Sequence, residues 1–226
     1  IEYSEIIARA EALYGDGTGN NADVLKGFID SAKSVYADDD AANHVITIAG
    51  SDLEKAMTDY KWDNASVDSP IEMTELINNN SFEKGFDGWT YSEMGNQSNT
   101  AFSLKHGSAY VEKWTGAGGR VGNASVKQNV KGLKLGMYVL KAVAQNLQEN
   151  SSAKQRNAWI VANNSRTEVS AANEYTLVFT NIETEAIIGF EAEGATGNWI
   201  AVDNFRLYYA GGDLDAFRQE LQAYLD

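Results

Sequence analysis

The stretch AYVEKWTGAGGRVGN (109–123) holds residues that could bind a ligand. An alternating run ends at Trp114, and four glycines and Arg120 follow it. An indole beside residues without side chains has few neighbours to cover it, so its flat face can contact a planar partner such as a sugar ring. A guanidinium nearby would donate hydrogen bonds to hydroxyls or carboxylates. The alternative is that Trp114 caps a hydrophobic core and the glycines form a tight turn.

The glycines of this stretch do not form a phosphate-binding loop. Counted from Gly116 and Gly118, the third glycine of a dinucleotide-binding loop would fall on Val121. No Gly-Lys-Ser or Gly-Lys-Thr triplet follows, and both kinds of loop join a strand to a helix. This stretch leads instead into another predicted strand, so a phosphate site is excluded.

The acids and histidines show no catalytic pattern. A glycosidase needs two carboxyl groups facing each other across a cleft. The acids on predicted strands are scattered, and none is marked out by its neighbours; they are Glu112, Glu191, Glu193 and Asp203. His44 and His106 are far apart in sequence and have no Ser or Asp pattern beside them, so neither a hydrolytic triad nor a histidine metal site is predicted.

Composition and charge exclude further classes of function. The 226 residues carry a formal net charge of −14 and contain no cysteine. Disulfides, thiolate metal sites and cysteine nucleophiles are therefore absent. An acidic surface repels phosphate backbones, so nucleic acid is not an expected partner. The apolar runs are short, and no insertion into a membrane is expected.

Helical periodicity covers residues 1–62 and predicts a small three-helix bundle. In the first helix, apolar residues recur at three- and four-residue spacing from Tyr3 to Tyr14. The second helix begins near Asn21. Its predicted buried face is the set Val24, Leu25, Phe28, Ile29, Ala32, Val35 and Tyr36. Ser51, with Glu54 three residues later, predicts a capping box at the start of the third helix.

Residues 63–73 contain the only proline, Pro70, and are predicted to be a linker that leads into the first strand. From residue 74 to residue 210 the apolar period changes to two, with runs such as EYTLVFT and AIIGFEA separated by Gly, Asn and Ser clusters. About eight to ten short strands without a helix predict an antiparallel β-sandwich of the jelly-roll type. Residues 211–226 are predicted to be a helix that packs on the bundle or starts a further repeat.

Four segments resemble a known family of β-sandwiches. MTELINNNSFEKGFDGWT (73–90) and TGNWIAVDNFRLYYAG (196–211) are similar to the first and last strands of galactose-binding-like domains. GSAYVEKWTG (107–116) and SVKQNVKGLKLGMYVLKAVAQN (125–146) resemble the middle of the same family. The resemblance covers about residues 72–210. It is closest in kind to carbohydrate-binding modules of secreted bacterial polysaccharide-degrading enzymes and surface glycan-binding proteins, in which small three-helix spacers flank such modules.

The resemblance implies a set of site residues. Ligands in this family lie on a concave face or at the loop rim, which points to Trp114 and Arg120, with Tyr91, Asn198 and Trp199 as weaker candidates. Trp89 is expected in the core. Many relatives hold a structural calcium where the first strand meets the last, and Glu83 and Asp203 match its acidic positions.

The expected function is therefore non-catalytic binding of a glycan or polysaccharide. The catalytic domains of the same polypeptide are expected partners. No cofactor is required; the calcium implied by the resemblance is a structural ion. The alternatives are a spacer or protein-docking domain and, third, a glycoside hydrolase. The resemblance implies a location outside the cell, at the cell surface or in the periplasm.

Overall fold

The structure, a computed structural model, describes residues 3–212. The chain divides into two compact units, one ending at Ile71 and the other starting at Glu72. This boundary falls inside the predicted linker. The helix expected over residues 211–226 lies, from residue 213 onward, outside the described residues.

The first unit is a three-helix bundle. Its helices are α1 (Tyr3–Tyr14), α2 (Ala22–Tyr36) and α3 (Asn43–Asp63). The apolar residues predicted for α1 all face the bundle core, with Ile7 and Ala10 buried. No helix among residues 3–212 combines the length and the apolar composition that a bilayer crossing requires.

Two details of the bundle differ from the sequence expectations. On α2, Leu25, Ile29 and Ala32 of the predicted face are buried. The other large residues of that face, Val24, Phe28 and Tyr36, are exposed. The reason is that a helix of a bundle buries a stripe of its surface and not half its circumference. The prediction that Ser51 starts the third helix with a capping box is wrong, because α3 already begins at Asn43. Ser51 lies inside that helix, one residue after Gly50, at which a side chain would press on the ring of Tyr3.

The second unit is a sandwich of two antiparallel sheets, which confirms the predicted fold class. The larger sheet has the order β3-β4-β11-β6-β9, with β1 also paired to β11, and the smaller sheet has the order β2-β5-β10-β7-β8. The strands are β1 (Ile71–Glu72), β2 (Thr90–Ser92), β3 (Gly95–Gln97), β4 (Tyr110–Trp114), β5 (Gly122–Lys131), β6 (Gly136–Leu147), β7 (Ala158–Ala162), β8 (Ser165–Glu168), β9 (Asn173–Asn181), β10 (Glu185–Ala195) and β11 (Trp199–Tyr209).

The sandwich core comes from the alternating positions that the sequence marks. Leu177 and Phe179 of β9 are buried, as are Ile188 and Phe190 of β10. Trp89 is only 6% exposed and packs against Phe82 and Phe205, so its predicted place in the core is confirmed. Burying such rings is worth a few kcal/mol each relative to exposure, about 1.5–3 kcal/mol for a Phe side chain.

The turn between β5 and β6 is closed by a buried tyrosine. The hydroxyl of Tyr138 accepts a hydrogen bond from the backbone N–H of Lys134 and donates one to the carbonyl of the same residue, both at 2.9 Å. The rest of the Tyr138 ring is buried against Phe179 and Tyr209. One side chain therefore ties the turn to the core.

Replacing Tyr138 by Phe should lower the free energy of unfolding by about 1–2 kcal/mol, because the ring stays packed while two hydrogen bonds are lost. Urea denaturation followed by circular dichroism measures this change. The matched control is Tyr91→Phe, at a ring that is 53% exposed, which should change the unfolding free energy by less than about 0.5 kcal/mol. Equal effects of the two substitutions would show that the Tyr138 hydroxyl does not secure the turn.

Candidate functional site

The outer face of the larger sheet carries an ordered set of side chains. Tyr110, Glu112 and Trp114 alternate along β4 and therefore point to the same side. The β4–β11 register places Glu112 opposite Ala201 and Trp114 opposite Trp199. The two indoles are thus cross-strand neighbours, whose Cβ atoms lie about 4.5–5.5 Å apart in such pairs.

One loop covers part of this face. Residues 98–109 connect β3 to β4, and their side chains Phe102 and Leu104 join a small apolar cluster with Tyr110, Val143 and Ala201. Trp199 packs against the edge of the same cluster. Trp114 is left 58% exposed. Of the two interpretations of Trp114 that the sequence left open, the structure therefore shows the uncovered ring and not the core cap.

A depression of about 260 Å³ lies beside the two indoles. It is lined by Asn99, Ala101, Glu112, Trp114, Glu149 and Trp199. Its walls combine two aromatic rings with two carboxylates and one amide. Flat apolar surface with a few polar groups is the composition of a site for a small polar ligand.

Each indole is held in place by a carboxylate. The Nε1–H of Trp199 donates to Oε2 of Glu112 at 2.6 Å, and the Nε1–H of Trp114 donates to Oε2 of Glu149 at 3.0 Å. The hydroxyl of Tyr110 also lies 3.1 Å from Oε2 of Glu112. These bonds orient both rings before any ligand arrives, which lowers the ordering cost of binding.

Asn198 positions Glu149. It is fully buried, its Oδ1 accepts from the backbone N–H of Glu149 at 2.8 Å, and its Nδ2 donates to Glu149 Oε2 at 2.8 Å and to the Gly116 carbonyl at 2.9 Å. Hydrogen bonds from Trp114 and then from Asn198 lower the pKa of Glu149. The carboxylate is thereby kept ionised and fixed beside the exposed indole.

The glycine-rich loop is attached to the same turn. The backbone N–H groups of Thr115 and Val121 donate to the carbonyls of Asn198 and Gly197. A side chain at Gly197 would come within 2.3 Å of Asn146 Oδ1 and 2.5 Å of the Leu147 carbonyl, so only glycine fits there. The loop between β4 and β5 is therefore shaped by the start of β11.

The structure does not bring all the predicted site residues together. Trp114 and Trp199 line the depression, and Asn198 lies buried behind it. Arg120 is exposed in the glycine-rich loop but is not among the lining residues. Tyr91 lies on β2 of the smaller sheet, where its ring stacks on Phe86 at 3.7 Å between centroids, away from the depression.

Three polar lining residues were missed from the sequence, and so was Ala101. Glu112 stands two positions before Trp114 on one strand, so alternation alone places it on the same face as the indole, and it could have been found. Glu149 lies in a loop remote in sequence and Asn99 lies in the loop that precedes β4, and no regular spacing connects either of them to Trp114. Only the fold brings them to the site.

Glu83 and Asp203, the candidate calcium ligands, both accept hydrogen bonds from the backbone of one loop. Asp203 is fully buried and accepts from the backbone N–H of His106 at 2.6 Å. Glu83 Oε1 accepts from the N–H groups of Ser108 and Ala109 at 2.8 and 3.0 Å. Burial, and to a lesser degree the charge of Glu83, raises the pKa of Asp203 to about 7.

The oxygen atoms at this loop suit a hard cation, but few are carboxylates. Among residues 3–212, no three acidic or histidine side chains cluster as metal ligands, so a calcium ion would need backbone carbonyls and water as well. Two such carbonyls, of Gly107 and Ser108, already accept from the Lys105 ammonium at 3.3 and 3.0 Å. The loop thus has a positive charge of its own beside these oxygens.

Comparisons with known proteins give structural matches only. No protein-family model matches the chain, and no curated protein matches it either. Among solved structures, the chain is similar to TmCBM61 in complex with β-1,4-galactotriose, with 20% identity, a TM-score of 0.44 and coverage of 59% of this chain and 97% of that one. It is also similar to the C-terminal family 22 carbohydrate-binding module of Xyn10B from Clostridium thermocellum, with 12% identity, a TM-score of 0.40 and coverage of 59% and 92%.

A third match has a different activity. The Stig cyclase Fisc from Fischerella sp. TAU shows 15% identity, a TM-score of 0.46 and coverage of 64% of this chain and 100% of that one. The matches thus include the modules that the sequence resembles and a cyclase as well. At these identities and scores they carry no argument about function, which has to come from the side chains of the site.

Replacing Asn198 by Ala should destabilise the chain by about 2–3 kcal/mol, because three hydrogen bonds of this buried amide with Glu149 and Gly116 would be lost. It should also change the fluorescence of Trp114, whose indole N–H would face a less fixed carboxylate. Urea denaturation and emission spectra measure both effects. Asn164→Ala, at an exposed asparagine, is the matched control. If Asn198→Ala has the same emission spectrum and the same free energy of unfolding as Asn164→Ala, Asn198 does not position Glu149.

Proposed function

We propose that this chain binds carbohydrate without transforming it, and that the glycan lies against Trp114 on the outer face of the larger sheet. The observation that carries the proposal is the exposed ring of Trp114 beside Trp199, above a depression with fixed carboxylates. The C–H face of a pyranose is flat and weakly apolar. It therefore fits against an indole whose plane is already oriented.

The polar groups around the rings would take the sugar hydroxyls. Glu112 and Glu149 each use Oε2 to hold an indole, and among the described residues Oε1 of either carboxylate has no hydrogen-bond donor. A carboxylate oxygen accepts well from hydroxyl groups, and charged acceptors make stronger bonds than neutral ones. Two such oxygens flanking the rings would fix the orientation of a bound sugar.

Glu149 does not fit the role of the general acid in a glycosidase. A general acid has to carry a proton near neutral pH, for which its pKa must be raised. Hydrogen bonds from Trp114 and Asn198 instead lower the pKa of Glu149. The proton donor that glycoside hydrolysis needs is therefore not supplied by this carboxyl group.

Weak binding would still be useful if the chain is part of a larger protein. A single shallow site of this kind gives dissociation constants from micromolar to millimolar, about −8 to −4 kcal/mol. Holding a catalytic domain of the same polypeptide close to a polysaccharide raises the local substrate concentration. The location expected from the resemblance, outside the cell or on its surface, stays a prediction.

Replacing Trp114 by Ala should weaken glycan binding at least about tenfold, the effect of roughly 1.4 kcal/mol. A glycan array followed by affinity electrophoresis in gels with the polysaccharides that bind would measure it. Trp114→Phe keeps a flat ring without the N–H, and its affinity for the glycan should lie between those of the wild type and Trp114→Ala. The matched control is Tyr91→Ala, which removes an equally exposed ring from the smaller sheet and should leave binding unchanged.

Three outcomes would contradict the proposed site or the proposed function. Equal binding by wild type and Trp114→Ala would refute the site, and no binding to any glycan would favour a spacer or docking domain. Release of reducing ends from a bound polysaccharide would instead identify a glycosidase.

A structural calcium at Glu83 and Asp203 is a separate proposal. It is supported by the two carboxylates that meet at one loop, one of them fully buried. If the ion binds, it would neutralise both carboxylates and tie the loop to β11. Its bonds to carbonyls would replace those of Lys105.

Calcium should then raise the melting temperature of EDTA-treated protein by several degrees, as a ligand that binds only the folded state does. Differential scanning fluorimetry with Ca²⁺ and with excess EDTA measures the change, and Asp203→Asn should abolish it. A melting temperature that neither addition moves would refute the proposal. In that case Lys105→Met should lower the free energy of unfolding by about 1 kcal/mol, because the Gly107 and Ser108 carbonyls would lose their hydrogen bonds to the ammonium.

A further inference from the structure

Among residues 3–212, the charged side chains that line the depression are both acidic. Its lining consists of two indoles, one alanine, Asn99, Glu112 and Glu149, and contains no basic residue. The basic residues of the same segment are directed elsewhere. Lys113 lies between Glu112 and Trp114 on β4, so its side chain leaves the opposite face of the strand, where it contacts Glu93 and the Asn123 carbonyl. Arg120 is exposed in the glycine-rich loop, outside the lining.

Both carboxylates are held beside the indoles by hydrogen bonds. Glu149 is held by Trp114 and Asn198, and Glu112 is held by Trp199. The same bonds that orient the indoles thus keep two negative charges beside the rings. A ligand that stacks on Trp114 has to lie within a few ångströms of them.

From this arrangement we propose that the site selects neutral glycans and rejects glycans that carry carboxylates, such as polymers of uronic acids. The inference rests on the proposed function and names its substrate class. A neutral sugar offers hydroxyl donors to Glu112 and Glu149. A uronate brings a third negative charge, and like charges in a partly desolvated site repel each other.

The test compares pairs of polymers that differ only in charge. β-1,4-Galactan, β-1,3-glucan and β-1,4-mannan fragments are each used as such and after oxidation of their primary C6 hydroxyls to carboxylates. Isothermal titration calorimetry gives the dissociation constants of wild type for both forms at about 20 mM and about 300 mM NaCl, since salt screens repulsion between partly exposed charges.

The readout is the ratio of the two dissociation constants, oxidised over neutral. For wild type at low salt this ratio should be at least about tenfold. It should fall as salt is added, and it should fall toward one in the double variant Glu112→Gln, Glu149→Gln, whatever the absolute affinity of that variant. The matched control is Glu183→Gln, Glu193→Gln, which removes two exposed acids outside the depression and should keep the wild-type ratio.

The outcomes separate this inference from the proposed function. If wild type binds the neutral and oxidised forms equally at low salt, or if the ratio does not depend on salt or on Glu112 and Glu149, the selectivity is refuted while sugar binding stands. If wild type binds neither form of these polymers nor any glycan of the array, the proposed function fails, and this inference fails with it.

Discussion

The register between β4 and β11 is the constraint on which the candidate site depends. Because side chains alternate along a strand, pairing Trp114 with Trp199 also puts Glu112 beside Ala201 on the same outer face. A slip of one residue would turn Trp114 inward and bring Lys113 to the outer face. The register is held by the fully buried Val111 and Val202, which face each other in the sandwich core. Core packing on one face of the sheet thus decides what the other face presents.

A single buried amide links the site to the loops around it. Asn198 contacts the backbone and the side chain of Glu149 and the backbone of Gly116, which belong to two different connections between strands. Buried amides are favourable only when their hydrogen bonds are made, so the two connections and Asn198 constrain one another. The position of Glu149 therefore follows from the start of β11 rather than from its own loop.

The carboxylates of the site have two effects that cannot be separated. They orient the indoles through the N–H groups of Trp114 and Trp199, and they leave the depression negatively charged. Rings that are ordered in advance lose less entropy on binding, which matters most for a shallow site. The same charges limit which ligands can approach. Orientation of the rings and discrimination by charge thus have one structural origin.

The sequence by itself determined the classes of secondary structure, because a change of apolar period from about 3.6 to two is visible without a fold. It also marked Trp114 through the glycines that follow it, and Trp89 and the alternating core residues through their patterns. It overestimated the buried face of α2, placed the start of α3 too late, and grouped Tyr91 and Arg120 with Trp114. Spacing along a chain cannot tell which sheet a strand joins or which way a loop side chain points.

Only the tertiary structure decided the composition of the candidate site. Strand order put β4 next to β11 and Tyr91 on the smaller sheet, and the loop over residues 98–109 covered Tyr110 but stopped short of Trp114. Glu149 reached the depression from a distant loop, and Asn99 reached it from the loop that precedes β4. The physical reason is that the site is made of contacts between residues remote in sequence, whose partners are chosen by how the whole sandwich packs.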